Sequence, residues 1–183
     1  MAANPARAQG SGADAGTVAD SHSDSDAPPP LPPKVAVVVA GDPDETLREI
    51  ASFLEAECKG SGMRTPTDPA LSAAMRGESP SGEDGLEGLR SIRRGLGLDP
   101  RKDLASYKRI GLIAGADALV VVRREGSVVI EVFDVSAAQF YQGMVTFDDS
   151  TSEQRIGFIR SRADQAQLRW SEPPPATPAS KAP

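Results

Sequence analysis

The chain has 183 residues, a net charge of −6, 4% aromatic residues, one cysteine and one histidine. An acidic chain with few stacking rings suits a polyanion poorly, so nucleic acid is not expected as a partner. Cys58 alone cannot form an intrachain disulfide, and the sole histidine, His22, lies in a stretch with almost no large apolar residue. A folded Ser-His-Asp triad, a Cys-His pair and a histidine zinc site are therefore excluded.

Met1 to Pro33 is built from Ala, Gly, Ser, Asp and Pro, and Ser171 to Pro183 is similar. Such segments bury too little surface to offset chain entropy and are expected to be disordered. One domain is expected over Lys34 to Trp170, a length that suits a single core. Pro29-Pro30-Leu31-Pro32-Pro33-Lys34 has the Pro-x-x-Pro spacing of a polyproline ligand, but in this composition a stiff spacer is the favoured reading. Pro173-Pro174-Pro175 is its counterpart at the other end.

Val35 to Ala40 is a continuous apolar run, as expected for a strand covered on both faces. Gly41 breaks it. Asp42-Pro43-Asp44-Glu45 then predicts a helix start, with Asp42 as the cap, Pro43 in the first helical position and Glu45 completing a capping box. Leu47, Ile50, Ala51, Leu54 and Cys58 form one stripe along that helix, which reaches about Lys59. Lys59-Gly60-Ser61-Gly62 lacks the spacing of a phosphate loop and reads as a helix terminator.

A short strand is expected near Met63 to Thr65. Asp68-Pro69 opens a second helix carrying Leu71, Ala74 and Met75. Gly77 to Gly85 is a polar loop, and Leu86 to Leu96 is helical with interruptions at Gly88 and Gly95. Asp99-Pro100 predicts another helix start, running through Leu104, Tyr107, Leu112 and Ile113 to Ala114. Three Asp-Pro starts share one cause: the carboxylate accepts free backbone amides and proline presets φ.

Ala118 to Arg123, Val128 to Val135 and Phe140 to Phe147 read as three strands. A tight turn at Glu125-Gly126-Ser127 and a short second connection imply an antiparallel meander. A last helix runs from Ser152 to Trp170, with Ile156, Ile159, Ala163, Ala166 and Trp170 as its stripe. Arg155, Arg160, Arg162 and Arg169 fall mostly off that stripe, and Ser150 with Glu153 is the expected capping box. The fold class is α/β (α+β): one domain, a mixed sheet with packed helices, a C-terminal meander and a terminal helix.

The longest apolar run, Ala118 to Val122, is far short of the ~20 residues that span a bilayer. No charged-then-apolar signal opens the chain. Ala6-Arg7-Ala8 before Gln9 matches the small-residue end of an export signal, although chance in an alanine-rich tail carries more weight. Periplasm or envelope is the expected location if an upstream signal was lost, and cytoplasm otherwise.

Gly115-Ala116-Asp117 ends a helix, Ala118-Leu119-Val120-Val121-Val122 follows as a strand, Gly126 turns, and Val132-Phe133-Asp134-Val135 closes the next strand. This block resembles a family of bacterial envelope domains: the TolB-like amino-terminal, curli-assembly and penicillin-binding-protein-activator domains. The early strand-helix unit from Val35 and the helix holding Leu71 fit the same pattern, so the resemblance covers most of Lys34 to Trp170. Two departures stand out. The family often has glycine after the second strand's aspartate motif, where this chain has Ser136-Ala137-Ala138, and the arginine-rich insertion from Gly85 to Lys102 has no counterpart. The resemblance implies a non-catalytic domain that binds other proteins at the envelope, with no catalytic residue to carry over.

Two candidate sites remain. Gly41, Asp42 and Asp44 line the crevice at the carboxyl end of the first strand, where open α/β sheets bind ligands. With Glu45 they resemble the acidic pocket of a receiver domain. The phospho-acceptor aspartate and late lysine of a receiver are missing, since Arg123-Arg124 follows Val122, so capping is the favoured role. Arg90, Arg93, Arg94, Arg101 and Lys102, with Lys108 and Arg109, form a basic segment, and Arg90, Arg93 and Arg94 share one helical face. That face reads either as solvated neutralising charge or as a dock for an acidic partner, phosphate or lipid headgroups. Cys58, on an apolar stripe, is expected to be a buried structural thiol. The expected function is a non-enzymatic interaction or sensor module whose partner is another protein, with no metal or cofactor. The alternative is a small-molecule-binding or carboxylate-dependent enzymatic domain using the first-strand crevice. The sequence leaves the oligomeric state open.

Overall fold

The apolar run Val35–Val39 forms a strand, β1, buried along its whole length. The computed structural model describes residues 30–78, 85–96 and 102–171. Among them, β1 is followed by α1 (Glu45–Gly60), α2 (Pro69–Arg76), α3 (Glu87–Arg94) and α4 (Leu104–Ala114). Then come β2 (Ala118–Glu125), β3 (Ser127–Asp134), β4 (Gln139–Phe140), β5 (Val145–Thr146) and α5 (Ser152–Ser171). No helix among the described residues is long and apolar enough to cross a membrane.

β1 pairs in parallel with β2, from Val35 beside Ala118 to Val39 beside Val122. Parallel neighbours need a long crossover, and α1 to α4 supply it. β2 pairs antiparallel with β3 along its full length, from Ala118 beside Asp134 to Glu125 beside Ser127. Gly126 stands alone at the turn with φ +72°. The mixed sheet runs β1-β2-β3-β4, with β5 also on β3.

Alternation sorts the strands onto two faces. Val35, Val37, Val39, Val120, Val122, Ile130 and Val132 pack against α1 and α5 through Leu47, Ile50, Leu54, Ile159 and Ala163. Ala36, Val38, Leu119, Val121 and Phe133 pack against Met75, Leu89, Tyr107 and Ile110 of α2, α3 and α4. This helix-sheet-helix layering explains why β1 is apolar at every position: neither face meets water. Each Val, Leu, Ile, Phe or Met side chain among them contributes about 1.5–3 kcal/mol on burial.

Several expectations need correction. Asp44, not Asp42, caps α1: its Oδ1 accepts the Leu47 N–H at 2.8 Å, and the helix starts at Glu45 rather than Pro43. The stripe from Leu47 onward is the same for either start. What selects Asp44 is its reach to the Leu47 amide and an ion pair of its other oxygen with Arg124 at 2.8 Å. Asp68-Pro69 does open α2 as expected, with the Asp68 carboxylate on the Ala70 N–H. The Asp99-Pro100 start lies outside the described residues, and the described helix begins at Leu104. The Met63–Thr65 strand reduces to one parallel bridge between Lys34 and Arg64.

The third strand of the meander is two short pieces. Between Phe140 and Val145, four residues of the outer strand lie opposite two of β3, with Gly143 at φ +88° in the bulge. A break of this kind blunts a sheet edge against pairing with other chains. At the start of α5 the reciprocal box is Thr151 with Gln154: the Thr151 N–H donates to Gln154 Oε1 and the Gln154 N–H to Thr151 Oγ1. Ser150 instead donates its hydroxyl to the Thr146 carbonyl. Arg155, in the group expected mostly off the apolar stripe, is buried.

Asp134, at the end of β3, is fully buried. Its carboxylate accepts the Ala137 N–H and the Tyr141 hydroxyl, each at 2.8 Å, and meets Arg169 at 3.2 Å. It thereby ties the β3–β4 turn to the end of α5. The same turn forces Ala138 to φ +53°, the only non-glycine residue at positive φ among those described. An alanine in this left-handed conformation leaves strain at this position. Ala138→Gly is expected to raise stability by about 0.5–1 kcal/mol, read as a shift of the urea midpoint. An unchanged or lower midpoint would count against strain at this turn.

Candidate functional site

The turn after β1 is assembled by short-range rules. Gly41 takes φ +78°, which a side chain resists, and Asp44 then caps α1. Arg48, one turn into the helix, returns its Nη2 to the Pro43 carbonyl at 2.9 Å. Arg124 reaches the turn from β2. The Asp44 carboxyl is held below the ordinary aspartate range: the Leu47 N–H lowers it most, burial opposes this, and Arg124 and Arg48 lower it further.

The two candidate sites meet here. Arg93 of α3 is 5% exposed, and its Nη1 donates to the Gly41 carbonyl at 3.0 Å. Gly77, the α2 cap at φ +81°, lies directly beneath the guanidinium. A Cβ at Gly77 would sit 2.4 Å from Pro43 Cγ and 2.9 Å from Arg93 Cζ. Only glycine meets both demands, the left-handed backbone and the close approach. Burial pushes the Arg93 pKa down, and the positive charges of Arg94 and Arg48 add to this while Asp42 opposes it.

The rest of the basic face divides. Arg94 points outward and pairs with Glu87 at 2.6 Å, and Arg90 lies 3.7 Å from the other Glu87 oxygen. Arg101 lies outside the described residues, and Lys102 sits just ahead of α4. Asp42 is exposed and makes no ion pair among the described residues. Arg48, Arg124 and Gly77 escaped sequence reasoning. Arg124 was reachable in principle: pairing Val39 with Val122 carries the next β2 residues to the end of β1. Gly77 carried no signal, because its role depends on two segments distant in sequence.

The arrangement is one of guanidinium donors, with Arg93 beside Asp42 and with Arg48 and Arg124 beside Asp44. Guanidinium donors of this kind can pair with carboxylates and other anions. Other reactive groups are held in internal roles. Asp117 accepts the Lys34 N–H at 2.7 Å. Glu55, beside a shallow groove of about 310 Å³ between α1 and α2, is bonded to Ser72 and Arg76. No three His, Cys, Asp or Glu residues gather to hold a metal ion among the described residues.

Cys58 is fully buried on α1, as its stripe position predicts. Burial, with Glu57 and Glu55 adding, pushes its thiol up to about 12. Since the thiolate is the nucleophile, Cys58 is expected to resist a thiol reagent in the folded protein near neutral pH and to react on addition of urea. Fast labelling of the folded chain would contradict the burial of Cys58.

No protein-family model and no curated protein sequence matches the chain. The crystal structure of lipoprotein GNA1162 from Neisseria meningitidis is similar at 11% identity, covering 75% of this chain and 99% of that one, with a TM-score of 0.36. That similarity carries no inference about a site.

Proposed function

We propose that this domain is a non-enzymatic interaction module of a bacterial envelope system, and that it docks an acidic partner protein at the arginine-lined end of its first strand. The observation that carries this reading is the convergence of Arg48, Arg93 and Arg124 on one turn, with Arg94 beside Arg93, in a chain of net charge −6. A local positive patch on an acidic surface steers acidic partners and repels others. Placement at the envelope draws support from the sequence resemblance at Gly115 to Phe147.

The test is co-purification of a protein partner with the full chain, repeated with Arg94→Glu and Arg124→Glu together. Loss of the partner on reversal, and weakening of the wild-type complex by salt, are expected. Undiminished recovery with the reversed chain would overturn the docking site. A second reading, a small-molecule site at the same crevice, is favoured by the position of Gly41 at the carboxyl end of a parallel strand. It is tested by a thermal-shift screen with nucleotides, Mg²⁺ and sugars. Asp44→Asn is the right control, since asparagine also caps helices, whereas Asp44→Ala would weaken α1 by itself. A saturable shift lost in Asp42→Ala and Asp44→Asn, with the fold intact, would sink the non-enzymatic reading.

A further inference from the structure

We infer that the end of the sheet opposite the Gly41 turn is a membrane-contact surface. It lies against anionic lipid headgroups through Leu31, Leu112, Ile113, Leu168 and Trp170, with Lys34 and Arg109 among them. This surface is separate from the docking turn and does not rest on it.

Of the seven large apolar side chains exposed among the described residues, these five stand at one end. Hydrogen bonds bring them there. The Asp117 N–H donates to the Lys34 carbonyl at 2.8 Å, which sets the end of α4 beside the start of β1. Leu112 and Ile113 lie in the last turn of α4. α5 arrives over the other face: Gln167 Nε2 donates to the Leu31 carbonyl at 2.6 Å, and Arg169 meets Asp134 at the end of β3. The α5 stripe explains Trp170. Ile159, Ala163 and Ala166 are buried against the sheet, while Trp170, next on the same stripe, is 49% exposed. β3 ends at Asp134, so the helix runs past the sheet and carries its stripe with it.

Shape and charge select the occupant. α4 and α5 pack on opposite faces of the sheet, so their apolar side chains form separate protrusions rather than one groove. A flat, deformable surface meets such protrusions together. Tryptophan, with an apolar body and a polar N–H, suits the boundary between lipid and water. Arg109 shares a helical face with Leu112 and Ile113, so its stem lies along lipid while its guanidinium reaches a headgroup. Lys34 and Arg109 form no ion pair among the described residues. The carboxylates at this end are matched, Asp117 by Arg64 at 3.9 Å and Asp134 by Arg169 at 3.2 Å. Asp164, the nearest exposed carboxylate along α5, lies about 9 Å of helix before Trp170. This end therefore keeps positive charge on a chain of net charge −6. An anionic bilayer supplies the complement. A second copy does not, because a two-fold contact would bring the same cations face to face.

Trp170 is the only tryptophan of the chain, so the unmodified full chain reports on its own binding. Titration with vesicles of phosphatidylcholine containing about one-third phosphatidylglycerol is expected to shift its emission to the blue, and lipids brominated on the acyl chain to quench it. Pure phosphatidylcholine is expected to bind about tenfold more weakly, and salt to weaken the anionic binding. Leu112→Ser with Leu168→Ser, both at exposed positions, should reduce partitioning about tenfold or more, and Arg109→Glu about fivefold or more. Met144→Ser, exposed beside β5, should change it by less than about twofold. An unshifted emission at saturating anionic lipid, equal binding to the two vesicles, or undiminished partitioning of the double variant would each overturn the proposal. A blue shift that grows with protein concentration in the absence of lipid would assign the surface to a second copy and overturn it as well.

Discussion

Glu57→Gln lowers the stability of the fold by about 3 kcal/mol or more in urea denaturation near neutral pH. The reason is the ion pair between Glu57 of α1 and Arg155 of α5, at 2.9 Å with both side chains 8% exposed. Arg155 also donates to the Ser150 carbonyl at 2.6 Å and stacks 4.5 Å from the centre of the Phe147 ring. It is the polar link between two helices on one face of the sheet. Removing one partner strands the other charge in a poorly solvated place, which is why breaking such a pair costs more than the pair contributes. Replacing both, as Glu57→Leu with Arg155→Met, is expected to recover part of the loss. A drop below about 1 kcal/mol for Glu57→Gln would mean that water reaches the pair.

The same pair sets a pH dependence. Burial pushes the Glu57 carboxyl up, but the hydrogen bonds from Arg155 and Ser152 outweigh it and the net shift is downward from the ordinary value of 4.5. The folded state therefore binds this proton less readily than the unfolded chain. The contribution is fully present above 4.5 and is lost as pH falls through the lower folded value. Glu57→Gln should flatten the acid limb of the stability curve, and an acid limb unchanged from the wild type would show that Glu57 is not the titrating group.

Tyr107 predicts opposite outcomes for two substitutions. Tyr107→Ala is expected to cost about 3–5 kcal/mol, and Tyr107→Phe to raise stability by about 1 kcal/mol. The ring is fully buried on α4, 5.6 Å from Phe133 and 5.0 Å from Phe140, with those two rings 5.1 Å apart. Alanine would open a cavity at the centre of this cluster. The hydroxyl is another matter, because it is buried with no hydrogen-bond partner. Nearby Glu131 is bonded to Arg123 at 2.7 Å instead. Burial, with Asp103 adding, pushes the phenol far above its ordinary range, so it stays protonated. Removing an unsatisfied hydroxyl leaves the packing and relieves its desolvation. If Tyr107→Phe proves less stable in a denaturant melt, the hydroxyl has a bound water and the argument fails.

The parts of the fold that were legible in sequence are those set within a few residues. The β1 run, the α1 stripe, the Asp68 cap and the Gly126 turn each depend on neighbours in the chain. Errors arose where two local options were nearly equal and a distant residue chose between them. Asp42 and Asp44 both suit a cap, and Arg124 from β2 helps select Asp44. Arg155 looks like a surface residue until Glu57 is brought against it from ninety-eight residues away. The outer strand looks continuous until the bulge opposite Glu131 and Val132 breaks it.

The sequence by itself determined the class of the domain, because hydrophobic periodicity needs no tertiary information. It also named both halves of the candidate site, the Gly41 turn and the arginine face. Only the tertiary structure decided that they are one place. The β1–β2 pairing carries Arg124 to the turn, and Gly77 leaves room for Arg93 to lie against Gly41. Local propensity places a charge on an element, but whether that charge meets water, a carboxylate or a backbone carbonyl depends on how the elements pack.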